Sequence, residues 1–218
     1  MTVKLVAISK PTIPECSTAE ELVAYCARVS NPANQNNHGT SAKLIRYLIK
    51  NAHWSPLEMV HMTMEINTTR DIARQILRHR SFSFQEFSQR YADPTKSLGF
   101  VTREARLQDA KNRQNSIEVD DDELQELWSS MQELAIEDAK RQYTKAINMG
   151  IAKEQARALL PEGLTESKLY MAGSLRSWVH YCDLRRANGT QKEHREIADA
   201  CWDIVTQQFP MLGEHNET

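Results

Sequence analysis

Apolar and polar positions alternate along this chain in a way that predicts a few strands among a larger number of helices. Val3 to Ile8 is a short apolar run that reads as a strand, broken off by Pro11 and Pro14. Ser17 or Thr18, followed by glutamates, caps a helix running to about Val29. Ser41 to Ala52 repeats at helical spacing, with Leu44, Ile45, Leu48 and Ile49 turned inward. Met59 to Asn67 changes to period two: Val60, Met62, Met64 and Ile66 share one side and His61, Thr63 and Glu65 the other, as in a strand. From Arg70 the period is helical again. Ile72, Ala73, Ile76 and Leu77 make one face; Asp71, Arg74, Gln75, Arg78 and His79 make the opposite one. This helix is expected to give out near Arg80, where Ser81-Phe82-Ser83-Phe84 alternates like an extended segment. If the chain stays extended, Glu86, Ser88 and Arg90 fall on one side and share a cleft with the polar end of the helix.

Asp93 to Ser116 is charged and poor in apolar residues, so a long loop is expected there. Asp120 to Glu123 opens a long helix whose buried side is predicted to be Leu124, Leu127, Trp128, Met131, Leu134, Ile136 and Ala139, with Gly150 ending it. Lys153 to Leu160 is a short helix stopped by Pro161, and Lys168 to Ala172 a further strand. Helices from Gly173-Ser174 to about Arg186 and from Thr190 to Phe209 complete the chain, with a polar, frayed tail past Pro210. The sum is a helix-rich α+β fold with a small central sheet, expected to be a single domain over residues 1–218.

Composition removes several classes of function. A net charge of -2 does not suit a protein coated in positive charge for duplex nucleic acid. The four cysteines, Cys16, Cys26, Cys182 and Cys201, have neither CxxC nor zinc-type spacing and read as buried small hydrophobes in a reducing compartment. His53, Glu58 and His61 fit no common metal spacing, and no metal is expected. The glycines form neither a G-x-G-x-x-G turn nor a Walker loop. No apolar run approaches the roughly 20 residues that cross a bilayer, and no signal peptide is evident, so a cytoplasmic protein with no membrane partner is expected.

The candidate chemistry lies between Arg70 and Tyr91. Arg78, Arg80 and Arg90 are planar forks of donors suited to phosphate oxygens; Glu86 is an acceptor, Ser88 a hydroxyl, and Phe82, Phe84 and Phe87 are apolar walls. Arg78-His79-Arg80, then seven residues, then Ser88, resembles the RHR-x7-S signature of flavin-dependent thymidylate synthases. Other segments resemble that family in order: Ala27-Arg28-Val29-Ser30; His53-x-Ser55-Pro56-x-Glu58; Arg103 to Arg106 through Arg113-Gln114-Asn115-Ser116; Ala156-Arg157 before Leu159-Leu160-Pro161; and Ser174-Leu175-Arg176, His180, Leu184-Arg185, Gln191-x-Glu193. Ser174 stands where asparagine is frequent in the family, and Gly189 where some members have histidine.

By that resemblance dUMP would be bound by Gln75, Arg78, Glu86, Phe87, Ser88, Gln89, Arg90, Arg157 and Arg185. FAD would be bound by Ser30, His53, Ser55, Glu58, Arg78, His79, Arg80, Glu86, Ser174, Arg176 and His180. The resemblance implies a flavin-dependent thymidylate synthase fold and a homotetramer whose sites are shared between subunits. It also implies reductive methylation of dUMP to dTMP, with methylenetetrahydrofolate and NADPH as co-substrates. Arg185 stays protonated, so it cannot be a base; the implied role is to stabilise uracil as an N3 anion. Ser88 has no base visibly placed to activate it and reads as a ligand contact, so no protein nucleophile is expected.

Two other readings compete. One is a nucleic-acid module with Arg74, Arg78 and Arg80 on phosphates and Phe82 and Phe84 stacking bases. The other is a related flavoprotein acting on a different pyrimidine nucleotide.

Overall fold

The computed structural model describes residues 1–216. Its spine is a four-stranded antiparallel sheet in the order β1-β2-β6-β3. β1 is Thr2–Ile8, β2 His61–Thr69, β3 Ser83–Glu86 and β6 Glu166–Ser174. The strongest period-two segment became the sheet's centre. In β2, Met62, Met64 and Ile66 are buried, while His61, Thr63 and Glu65 alternate outward. β2 pairs residue for residue with β6, from His61 opposite Ser174 to Thr69 opposite Glu166. β6 is longer than the predicted Lys168 to Ala172, because β2 pairs along its whole length while β3 covers only Leu169 to Ala172.

Helices α1 (Ala19–Ala27), α2 (Ser41–Lys50), α3 (Arg70–Ile76), α7 (Leu175–Arg186) and α8 (Lys192–Gln208) supply the rest of the main core. Thr18 caps α1 by a reciprocal box with Glu21, as the sequence predicts. In α7, Trp178 and Tyr181 are fully buried, and the Trp178 indole donates to the Met62 carbonyl at 3.2 Å. No helix among the described residues is long and apolar enough to cross a membrane.

Four expectations need correction. α3 ends at Ile76 rather than near Arg80; short turns (His79 N to Ile76 O, Phe82 N to His79 O) bring the chain back onto β6. The segment Asp93 to Ser116 is not one loop. It holds α4 (Pro94–Ser97) and β4 (Arg106–Gln108), which forms a hairpin with β5 (Ser116–Glu118). Side-chain amides of α5 (Asp122–Asn148) pin it: Gln132 exchanges hydrogen bonds with the Arg103 backbone, 2.8 Å each way, and Gln125 does the same for Ala105. α5 itself buries Gln132, Ile136, Ala139, Tyr143 and Ala146; Leu127, Trp128, Met131 and Leu134 are exposed, since nothing among the described residues covers that face. Finally, the segment past Pro210 continues as a 3-10 helix, Pro210–Asn216, with Met211 and Leu212 buried in the core; residues 217–218, also expected to be frayed, lie outside the described residues.

Candidate functional site

Gly173 in β6 shapes the turn that carries the Arg-His-Arg run. The Phe82 ring lies where a side chain on residue 173 would go: an added Cβ would sit 2.5 Å from Phe82 Cδ1. Trp178 packs edge-on against the same ring, with centroids 4.9 Å apart. Phe82 is therefore a buried wedge that sets where residues 78 to 81 pass, and it is not free to stack on a base. Phe84 is also packed against the core. The nucleic-acid reading loses its aromatic platform on this geometry.

The first bank of polar groups lies where α3, α7 and α8 meet. Arg185 donates from Nε to His79 Nε2 at 2.9 Å. Burial, then the positive charges of Arg185 and Arg78, push the His79 pKa down to about 4, so its ring is a neutral acceptor at neutral pH. His79 packs edge-on against Tyr181, with centroids 4.9 Å apart. One helical turn before His79, the Gln75 carboxamide meets Gln191 at 2.8 Å and His194 at 3.3 Å. Arg78 and Arg80 are exposed and have no acidic partner among the described residues. Sequence reasoning missed Tyr181 and His194. The available signal was spacing: Gln191 and His194 are one turn apart and face α3 together.

The second bank is built on the other side of α3. Arg70 reaches Glu86 at 3.4 Å, Arg74 reaches it at 3.7 Å, and Ser167 donates to it at 2.8 Å. β3 stops at Glu86, and Tyr91 N and Ala92 N then both bond to Ser88 O in a tight turn. Glu86, Ser88 and Arg90 consequently do not share the extended side expected of them. Gln89 is buried with its Nε2 unpartnered, and it lines a hollow of about 420 Å³ with Arg70, Arg74 and Arg157. Ser88 and Arg90 line an adjacent hollow of about 410 Å³ with Lys153, and Arg90 pairs with Glu154 at 3.1 Å. Arg157 sits just past α6 (Lys153–Ala156), in the 3-10 turn that replaces the end of the predicted helix. Neither hollow is lined by Gln75 or Arg185. The common cleft expected for these groups is thus divided within one chain. Just past β3, the Phe87 N–H bonds to Lys168 O at 2.8 Å.

A third bank runs along α1, α2 and α7. Arg176 bonds Glu58 at 2.6 Å, and Trp54 packs edge-on against His180 with centroids 4.3 Å apart. His53 and Ser55 flank Trp54, and the His53 ring meets Tyr47 edge-on at 6.1 Å. Tyr47 in turn lines a hollow of about 450 Å³ with Ser30, Asn31 and Lys43. Burial, then Arg176, lowers the His180 pKa. Ser174 is engaged otherwise: its hydroxyl caps α7 by accepting from Ser177 N at 3.2 Å. Ser177 in turn donates to the Ser81 carbonyl at 3.2 Å, tying this cap to the Arg-His-Arg turn.

The cysteines are free. Cys16, Cys182 and Cys201 are buried and Cys26 is half-buried, and burial raises the thiol pKa of each.

The chain resembles known proteins over nearly its whole length. The family described as "Thymidylate synthase complementing protein" matches residues 13–211. A probable flavin-dependent thymidylate synthase from Paramecium bursaria Chlorella virus 1 is 47% identical over 98% of both chains. A flavin-dependent thymidylate synthase from Synechocystis is 50% identical, again over 98% of both. Among solved structures, a UMP/dUMP methylase, PolB, from Streptomyces cacaoi bound with 5-bromo-UMP superposes with a TM-score of 0.80 at 28% identity, covering 98% of this chain and 92% of that one.

Proposed function

The chain belongs to the flavin-dependent thymidylate synthase family, and on that footing we propose that it methylates dUMP reductively to dTMP. Methylenetetrahydrofolate would supply the carbon and NADPH the two reducing electrons, leaving tetrahydrofolate and NADP⁺. FAD, when bound, would relay the hydride. The observation that carries this reading is the Arg185–His79 pair beside Gln75, a fixed cation in a chain with relatives of that name at 47–50% identity.

The residues present suit a flavin dinucleotide. Arg78 and Arg80, without acidic partners among the described residues, would meet its diphosphate. Ser30, His53, Ser55, Glu58, Arg176 and His180 form one flank of mixed polar and aromatic groups for the rest. Ser174 would act through its backbone or through α7, since its hydroxyl is already the helix cap.

For the nucleotide, Gln75, Arg78 and Arg185 form one jaw. Glu86, Phe87, Ser88, Gln89, Arg90 and Arg157 would form a second, in which the unpartnered Gln89 Nε2 and the two Arg157 Nη groups, left over once Nε donates to the Glu154 carbonyl at 3.3 Å, would offer donors to a phosphate. A homotetramer that sets the second jaw of one subunit against the first jaw of another would complete the site. The exposed apolar stripe of Leu127, Met131 and Leu134 on α5 supports such an assembly. Arg185 cannot take a proton, but its fixed charge can stabilise an N3-ionised uracil, and neutral His79 keeps it aimed. No side chain here is an activated nucleophile: the thiol pKa values are raised, and Ser88 has no base among its described partners. We place the whole of residues 1–218 in one such domain, acting in the cytoplasm.

The test is twofold. Purified protein should show flavin absorbance, or gain it on incubation with FAD, and the gene should support growth of a thymidine-requiring strain. Colourless protein that takes up no FAD and rescues no growth contradicts the proposal.

A further inference from the structure

A chain of six side chains runs under Gln75, and the direction of every hydrogen bond in it is fixed by one carboxylate. Arg106, itself nearly buried, pairs with Glu193 Oε1. Burial works against the Glu193 charge, but its own backbone N–H, Gln191 and Arg106 outweigh burial and hold its pKa below the usual range. An ionised carboxylate only accepts, so Gln191 must turn its Nε2 toward Glu193, at 2.9 Å. The Gln191 oxygen then faces Gln75 and takes a bond from Gln75 Nε2 at 2.8 Å. That leaves the Gln75 oxygen facing His194 Nδ1 at 3.3 Å, so Nδ1 must carry the proton. His194 Nε2 is left as an acceptor for the Tyr181 hydroxyl at 3.1 Å, and burial keeps that phenol protonated.

The consequence falls on Gln75. A free carboxamide can present either end, but this one cannot turn over: a flip would set oxygen against oxygen at Gln191. One Nε2 proton goes to Gln191, and the other has no acceptor among the described residues. A nucleoside monophosphate is rich in acceptors, so a carboxamide held with a spare N–H is matched to it.

We propose that His194 is a positioning residue: as the Nδ1–H tautomer it gives the Gln75 carboxamide, already oriented by Gln191, the second bond that holds it still with one N–H left for the nucleotide. The inference rests on the reading of Gln75 as a dUMP contact. His194 is fully buried, so it acts through Gln75. Its pKa is pushed down to about 3 by burial, then by Arg185 and His79, so the ring stays neutral across the physiological range and its hydrogen bonds set the tautomer.

The test pairs two substitutions with a nitrogen NMR spectrum of flavin-loaded protein. His194→Asn places an amide N–H near the position of Nδ1, whereas His194→Gln reaches only toward Nε2. The dUMP dissociation constant should stay within about twofold of wild type for His194→Asn and rise roughly fivefold for His194→Gln, the usual effect of one lost hydrogen bond. Gln75→Ala should weaken binding at least as much. A merely structural role would weaken binding equally in both His194 variants. The ¹⁵N-histidine spectrum, assigned by the signal absent from His194→Asn, should show Nδ1 protonated and Nε2 bare. An Nε2–H tautomer, equal losses in the two variants, or Gln75→Ala binding dUMP as wild type does would overturn the proposal. Wild-type protein that binds no dUMP would instead remove the substrate assignment, and the tautomer would then decide the relay by itself.

Discussion

Arg185 on α7 is held through Nε by a histidine, His79, that follows a helix 106 residues earlier in the chain. The arrangement keeps a permanent cation beside Gln75 without a carboxylate to neutralise it, because the partner ring is uncharged at neutral pH. A carboxylate there would cancel the field that Arg185 would offer to the ionised uracil we propose; a protonated histidine would repel the guanidinium. Only a neutral acceptor steers the guanidinium and leaves its charge intact.

Arg185→Lys keeps the charge but loses both the planar fork and the bond to His79. Turnover should fall roughly a hundredfold, as for loss of an oriented charge-stabilising donor, while bound flavin is retained. Steady-state rates together with the flavin spectrum check this.

Acid should weaken the fold through the two depressed histidines. His79 and His194 fall from an ordinary value of 6.5 to about 4 and about 3 in the folded chain, so between those values and 6.5 the unfolded chain binds more protons. Their contribution is complete above pH 6.5, declines as pH drops through that window, and levels off below it. Asp183 and Glu20, which burial raises, act in the opposite sense. Thermal melts from pH 7 to 4 should therefore have a shallower slope in His79→Gln and in His194→Asn than in wild type.

Gly173→Ala tests the wedge beneath the Arg-His-Arg turn. The new methyl would overlap the Phe82 ring, wedged against Trp178, and this overpacking should cost about 1–3 kcal/mol. Urea unfolding should show the loss, and the double variant with Phe82→Leu should recover part of it.

How far the sequence foretold this arrangement depends on what each residue's neighbours are. β2 was legible because Met62, Met64 and Ile66 obey strict period two and the sheet leaves one of its faces outward. The apolar face of α3 was legible too, since Ile72, Ala73 and Ile76 are all buried. α5 misled because it carries two apolar stripes, and its buried face is led by a glutamine, Gln132, that serves the Arg103 backbone. The division of the polar groups into separate banks was not legible. It follows from a turn at Ser88 and from α3 presenting Arg74 and Gln75 to different neighbours. The resemblance named Gln75 and Arg185 as ligand contacts, but the Gln191–Gln75–His194 relay appears only when α8 is laid against α3.

Glu58 and Arg176 are each roughly 40% exposed, so their bond contributes little to stability, within about 1 kcal/mol. Glu58→Gln should leave the melting temperature within a few degrees of wild type but weaken FAD binding several-fold. Fluorescence titration with FAD measures the second effect, and a circular dichroism melt the first.

The α5 stripe should be an interface. Leu127 and Leu134 are 58% and 64% exposed on a helix face that covers nothing among the described residues. Sedimentation of wild-type protein should give the mass of a tetramer, and the double variant Leu127→Glu with Leu134→Glu a smaller species with reduced turnover.

The most direct measurement incubates flavin-loaded protein with dUMP, methylenetetrahydrofolate and NADPH, following dTMP, NADPH oxidation and protein mass together. The account predicts one NADPH oxidised per dTMP formed, with the intact chain at its unmodified mass when the reaction is quenched during turnover. Absence of dTMP, or a nucleotide covalently attached to a serine or cysteine at quench, would contradict it.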